Sequence, residues 1–367
     1  MQILGAVVVA TLVVGACGGD SETGSSGTTE TTGSSETTET TGSSETTETT
    51  GSSETTESVA EAIPAFLATY PGIDSAQMLI EIGANEAGEA LGVEVVFRTP
   101  PTFDVAAQLA VTESALSIPN LAGVSVVAAD PNSLEGVMRT AESRGLALSQ
   151  GAGCTPEATA PICFDSKPST VGELAGERMA ELLGTEGGEV VIASGPLGDV
   201  NNEARSDGFT EALTTNNPNA TVAQVLYECS DADQTRACAE NALAAHPNLR
   251  GYYGNGGFAA SGGAEVFPEA GQDVVVGAID DAPETLDYIT TGEVAFTITQ
   301  PQQCMGYLLI LSNYLQAVED QVATVKYVDL GATTIDKDNV GDLEAANQQT
   351  CENLIDQFTN TVFQPQS

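Results

Sequence analysis

The sequence predicts an α/β chain of two lobes, each a doubly wound parallel sheet covered by helices on both faces. Three observations predict it. Short, continuously apolar runs alternate with stretches whose apolar residues have helical spacing. The alternation begins after residue 59, where a long stretch of Gly, Ser, Thr and Glu ends. The β-then-α series then runs through twice, which a single sheet would not require.

The elements follow in order. Residues 63–69 form an apolar strand, and 75–91 a helix carried by Met78, Leu79, Ile82 and Leu91. Strand 93–97, helix 105–115, strand 123–129, helix 134–143 and the short strand 146–149 complete the first series. The second series pairs helix 171–183 with strand 189–194, helix 203–215 with strand 221–227, and helix 234–245 with strand 251–254. Strands 273–279 and 294–299 bracket a helix at 283–291. In such sheets a ligand sits outside the carboxyl ends of the strands, so the residues just after each strand carry most weight. Two of these ends contain capping-box spacings, Asn132 with Glu135 and Asp281 with Glu284. If Asn132 and Asp281 cap their helices, Asp130 and Asp280 are left to face a cleft. The alternative makes Asp130 and Asp280 local turn residues.

The N-terminal region reads as an address and a tether. Residues 3–16 are an apolar run too short for a comfortable membrane span, ending in Val14-Gly15-Ala16-Cys17-Gly18. Small residues before a Cys at that place resemble a bacterial lipobox. The resemblance implies a signal peptide at 1–16, lipidation of Cys17 and attachment to a membrane through the lipid alone. Met1-Gln2 departs from the pattern, since a signal peptide opens with Lys or Arg. The alternative is an ordinary secretory signal with a chance Cys. Residues 17–58 then form a linker in which Gly-Ser-Ser-Glu-Thr-Thr-Glu-Thr-Thr starts at Gly33 and again at Gly42. With no apolar residues the repeat cannot offset its ordering entropy, and its Glu residues repel one another.

Charge excludes several functions. There are 52 acidic residues against 10 Lys and Arg, a formal net charge of −42. A nucleic-acid binder needs a basic stripe, and none exists. Such acidity keeps a surface soluble but names no partner.

Several motifs of the second series resemble those of the type I periplasmic sugar-binding proteins, the ribose-binding-protein group. Glu203-Ala-Arg-Ser-Asp-Gly-Phe209 is similar to the helix that supplies the family's ligand-binding Arg, here Arg205. Tyr252-Tyr-Gly-Asn255 places Asn255 at the family's ligand Asn. Val275-Val-Gly-Ala-Ile-Asp280 resembles the strand that ends in a ligand Asp. Gly292-Glu-Val-Ala-Phe-Thr-Ile-Thr-Gln300 resembles the strand that ends in a ligand Gln at the hinge. In the first series Asp130 falls where the family has Asn or Asp, and Ser149 and Gln150 where the ribose-binding protein has Asp-Arg. The resemblance covers about residues 63–330. It implies a first lobe of 59–165 plus 301–326, a second lobe and tail of 166–300 plus 327–367, and three hinge crossings near Asp165, Gln300 and 326–330. It also implies a ligand set of Arg205, Asn255, Asp280 and Gln300 facing Asp130 and Gln150. Carboxylates, amides and a guanidinium suit sugar hydroxyls, which both donate and accept. Arg205 has a competing role as an ion-pair partner of Asp207 or Glu203. Four positions aromatic in the ribose-binding protein read here as Ala76, Gln77, Ser230 and Ile279. Tyr70, Phe164, Tyr227 and Phe258 lie near the cleft by sequence and could substitute, Tyr70 foremost.

Six Cys remain beyond Cys17, and an even number in an exported chain argues for disulfides. The simplest of the possible pairings is Cys154 with Cys163, Cys229 with Cys238, and Cys304 with Cys351. No CxxC occurs and His246 is the single His, so no metal site is expected. No nucleophile elbow, Walker loop or His pair marks an enzyme, and no cofactor is implied. The expected function is capture of a monosaccharide or polyol by a monomeric receptor that hands it to an ABC transporter permease. The alternative is a sensory component that passes its ligand, including a small furanose-like signal, to a signalling protein.

Overall fold

A computed structural model describes residues 62–366. The signal, the Cys17 lipobox and the linker expected at 1–58 lie outside the described residues. The first sheet is built from β1 (Ala65–Thr69), β2 (Glu94–Arg98), β3 (Leu121–Val127), β4 (Ala147–Gly151) and β5 (Cys163–Asp165). Between these strands run α1 (Ser75–Leu91), α2 (Val105–Ala115) and α3 (Pro131–Ser143). The chain then enters the second series: α4 (Pro168–Leu183), β6 (Gly188–Ser194), α5 (Val200–Asn216), β7 (Ala220–Leu226), α6 (Ala232–Ala245), β8 (Leu249–Asn255), α7 (Ser261–Glu269), β9 (Val275–Ile279), α8 (Pro283–Thr291) and β10 (Phe296–Thr299). It closes with α9 (Gln302–Ala317), β11 (Gln321–Ala323), β12 (Tyr327–Asp329), β13 (Thr333–Asp336), α10 (Leu343–Gln357) and β14 (Phe363–Pro365).

Two six-stranded sheets result, ordered β12-β5-β4-β3-β1-β2 and β13-β10-β9-β8-β6-β7. Every pair in the first is parallel, and in the second only β13 runs antiparallel, against β10. Helices cover both faces of each sheet, so a central strand such as β1, Ala-Phe-Leu-Ala-Thr, is buried throughout. Phe209 stacks on Tyr253 between α5 and the second sheet, their ring centroids 4.5 Å apart. The strands read from the sequence recur within a few residues, while β5, α7 and every element after β10, the long helix α9 included, were not anticipated. β5 has three residues, too few for a periodic signal, and the Gly pair in α7 weakens its helical pattern.

The chain crosses between the sheets after Asp165, at Gln300–Pro301 and between β12 and β13. The expected allocation of 327–367 to the second lobe needs correction. Tyr327 pairs with Cys163 and Asp329 with Asp165 in the first sheet. After β13 the tail returns to the first lobe, where β14 pairs with β11 and Phe358, Val362 and Phe363 join the apolar core around Leu308 and Phe164. An amphipathic tail carries no local mark of which lobe it will cover.

The three disulfides are Cys154–Cys163, Cys229–Cys238 and Cys304–Cys351, with Cα separations of 5.8, 6.2 and 5.2 Å.

Both capping-box readings also need correction. Asp130 itself caps α3, accepting from the Asn132 amide at 3.0 Å and from the Ser133 hydroxyl. Pro131 fills the first helical position, and its missing amide leaves Asp130 the residue placed to cap. Glu135 turns away to Thr159 and pins the 154–163 loop. Ala282 occupies the cap position of α8 without a side-chain bond, and Asp281 instead accepts from Asn347 at 3.2 Å.

Candidate functional site

A cavity of about 880 Å³ lies between the lobes at the carboxyl ends of both sheets. That is within the range of roughly 300–1,000 Å³ usual for small-molecule sites. From the first lobe it is lined by Tyr70, Asp74, Ala76, Phe103, Val127 and Asp165, and from the second by Asn202, Arg205, Ser230, Phe258, Asp280 and Gln300.

The second-lobe wall is fixed by the backbone. Asp280 ends β9 with φ of 67°, the left-handed region that Asp tolerates better than most residues. The Asp280 amide donates to Ile298 and its carbonyl accepts from the Thr297 hydroxyl at 2.7 Å, so β10 holds this conformation. Its carboxylate accepts from Gln300 Nε2 at 2.8 Å. Both side chains are buried, yet both reach the cavity. Arg205 is presented by α5, which packs closely on α4: a Cβ added at Gly172 would overlap the Arg205 carbonyl oxygen, so only glycine allows the approach. Arg205 Nη1 donates to Asn202 Oδ1 at 3.1 Å, and Nε is buried without a partner. The competing ion pair with Asp207 or Glu203 does not form.

The first-lobe wall is acidic. Asp74 caps α1 by accepting from the Gln77 amide at 2.7 Å, and its second oxygen accepts from the Tyr70 hydroxyl at 3.0 Å. Burial, with the nearby Asp280 carboxylate adding to it, pushes Asp74 up to about 6. Burial also drives the Tyr70 phenol well above its ordinary value. Asp165, only 5% exposed at the end of β5, is pushed up to about 7 by burial, with Arg205 pulling the other way and Asp329 adding to the rise. Near neutral pH such a carboxyl exchanges between donor and acceptor, which suits a hydroxyl.

Four of the seven expected ligand residues, Arg205, Asp280, Gln300 and Tyr70, come together on this cavity. The other three do not reach its surface. Asn255 is fully buried behind α5, donating to the Asn202 carbonyl at 2.8 Å and to Ser206 Oγ at 2.9 Å, so it anchors the helix that carries Arg205. Gln150 turns back on its own loop and donates to the Ala152 and Gly153 carbonyls, both at 3.0 Å. Asp130 is committed to its cap. Of the candidate aromatics, Tyr70 and Phe258 line the cavity; Phe164 belongs to the first-lobe core, and Tyr227 is exposed elsewhere. Asp74, Asp165 and Phe103 were missed. Asp74 follows β1 within a few residues, the signal that selected Asp280, whereas Asp165 closes β5, a strand too short to be read from the sequence. Among the described residues no group of His, Cys, Asp and Glu could hold a metal ion.

Two parallel-sheet lobes enclosing a cavity at their strand ends define a class, the two-lobed binding-protein fold. The chain belongs to the type I periplasmic sugar-binding proteins: the model of the periplasmic binding protein domain matches residues 65–320. It is similar to the D-allose-binding periplasmic protein of Escherichia coli K12, with 28% identity over 240 residues, 61% of this chain and 75% of the relative. It is also similar to a xylose/arabinose-binding protein of Sulfolobus acidocaldarius, with 26% identity over 46% of this chain and 42% of that one. Among solved structures, an ABC transporter solute-binding protein from Burkholderia graminis in complex with D-arabinose superposes with a TM-score of 0.70 and 25% identity, covering 76% of this chain and 97% of that one. A solute-binding protein from Agrobacterium vitis bound with α-D-tagatopyranose shares the fold, with a TM-score of 0.69 and 21% identity over 78% and 98% of the two chains. These relatives are named as binding proteins, and none of them as an enzyme.

Proposed function

We propose that this protein is an extracytoplasmic receptor that captures a monosaccharide or polyol between its lobes and delivers it, as a monomer, to an ABC importer permease. A lipid on Cys17 and the 17–58 linker would hold it at the membrane. One observation carries the reading. Arg205, Asp280 and Gln300 from one lobe converge with Tyr70, Asp74 and Asp165 from the other on a single cavity, in a chain of a sugar-binding family. The donor and acceptor mix matches hydroxyls. The aromatic faces come from Tyr70, Phe103 and Phe258 in place of the positions occupied by Ala76 and Ser230. Asn255 supports the site from behind rather than touching the solute.

The test is a thermal-shift panel on the full chain with disulfides intact, using D-allose, D-xylose, arabinose, D-tagatose, ribose and acyclic polyols. A true ligand at a hundredfold excess over its Kd stabilises by roughly 2.7 kcal/mol and raises the midpoint visibly. A panel in which no sugar or polyol moves the midpoint, with the protein folded throughout, overturns the reading. Intact-mass analysis of the membrane fraction checks the anchor: an unmodified Cys17 would remove that part alone.

A further inference from the structure

We propose that α10 is an interlobe latch: its far end belongs to the first lobe through the Cys304–Cys351 disulfide, and its start clasps the second lobe and limits how far the cavity opens. The helix lies beyond residue 320, where the family match ends. It starts in the second lobe, where Leu343 is 6% exposed among Ile289, Ile335 and their neighbours. One turn on, Asn347 Nδ2 donates to Asp281 Oδ2 at 3.2 Å. Asp281 directly follows the cavity-lining Asp280. A further turn on, Cys351 is bonded to Cys304 near the start of α9, between the cavity-lining residues Gln302 and Met305. From Leu343 to Cys351 is eight residues, about 12 Å of helix.

The two attachments are unequal. The first-lobe end has a covalent bond, the β14–β11 pairing, and Phe358 packed on Phe164 and Phe363 at centroid distances of 5.4 and 5.0 Å. The second-lobe end of the helix has one buried Leu, Val340 packed just before it, one side-chain hydrogen bond, and the chain itself leading back through residues 337–342 to β13. A hinge rotation at the three crossings turns one lobe against the other, and a helix is too stiff to absorb it. The weaker attachment therefore parts first, and opening undoes the clasp of Leu343 and Asn347. At the crossings the Leu330 amide donates to the Asp165 carbonyl at 2.9 Å, tying the third crossing to the first.

The device is read without any solute, so its failure is separate from failure of the receptor reading. Amide hydrogen exchange is followed on the ligand-free full chain for wild type, Asn347→Ala and Cys304→Ser/Cys351→Ser. Asn347→Ala removes one hydrogen bond of the clasp, and amides at the crossings, Leu330 above all, should exchange about fivefold faster. Protection of the core strands β3 and β8 should stay as in wild type. The double Cys variant, which lets the start of α10 travel with the second lobe, should speed the same amides. Crossing amides that keep wild-type rates in Asn347→Ala overturn the proposal, as does acceleration confined to α10 and β9, which marks a purely local contact. If the double variant loses protection throughout, it has unfolded, and the Asn347→Ala result decides alone.

Discussion

Replacing Asp165 by Asn removes a buried carboxylate and keeps the shape. In the folded protein Asp165 is 5% exposed, and burial moves it from 3.8 to about 7. That gap corresponds to roughly 4 kcal/mol of cost when the group is ionised, less where cavity water hydrates it. The sign follows from proton counting. Between about pH 4 and pH 7 the folded chain holds a proton that the unfolded chain has released. Stability from this group is therefore highest below pH 4, falls as the pH rises, and is flat above about 7. Asn carries no such cost, so the variant should gain on wild type across that interval. Near pH 4.5 the two should be within about 1 kcal/mol, and at pH 8 Asp165→Asn should be more stable by about 2–4 kcal/mol. Asp74 and Asp281, both raised to about 6 mainly by burial, slope the same way in both proteins and cancel in the difference. Urea denaturation at the two pH values, with disulfides intact and equal m-values, measures it. A difference that stays constant between pH 4.5 and 8 would refute the claim that ionising the buried Asp165 costs stability.

The remaining predictions concern the site and its supports. Asp280→Ala should weaken binding of whichever sugar the panel finds by roughly 1–3 kcal/mol in calorimetric titration, because it strands hydroxyls and Gln300. Asp281→Ala, whose carboxylate meets Asn347 rather than the cavity, should change affinity far less. Asp130→Ala should cost about 1 kcal/mol of stability as a lost cap while leaving affinity intact, and a binding defect would restore it to the site. Gly172→Ala should cost about 1–3 kcal/mol by forcing α5 off α4, and should also weaken binding by moving Arg205. Thiol labelling of the unreduced protein should find none of the six Cys of the folded region free, and labelling of any pair would contradict that bridge.

The alternation of apolar strands and helices is a local property, and it determined the class, the two sheets and most element positions. Strand-end chemistry added Asp280 and Gln300, and the helix motif added Arg205. Spacing and an even Cys count pointed to the three pairs. What the sequence could not decide were choices between near-equal local options. Asp130 and Asn132 can each cap a helix, and only the backbone turn at Pro131 selects Asp130. Gln150 and Asn255 sit at strand ends as the crevice rule asks, but each finds carbonyl acceptors nearby and turns away from the cavity. Asp74 and Asp165 are 91 positions apart, and their shared wall exists only once β1 and β5 are registered in one sheet. The tail is the clearest case. No element is read in it from the sequence, and the family resemblance places it on the second lobe. Packing of Phe358 against Phe164, the β14–β11 pairing and the bond to Cys304 placed it on the first lobe, while Leu343 kept its start in the second.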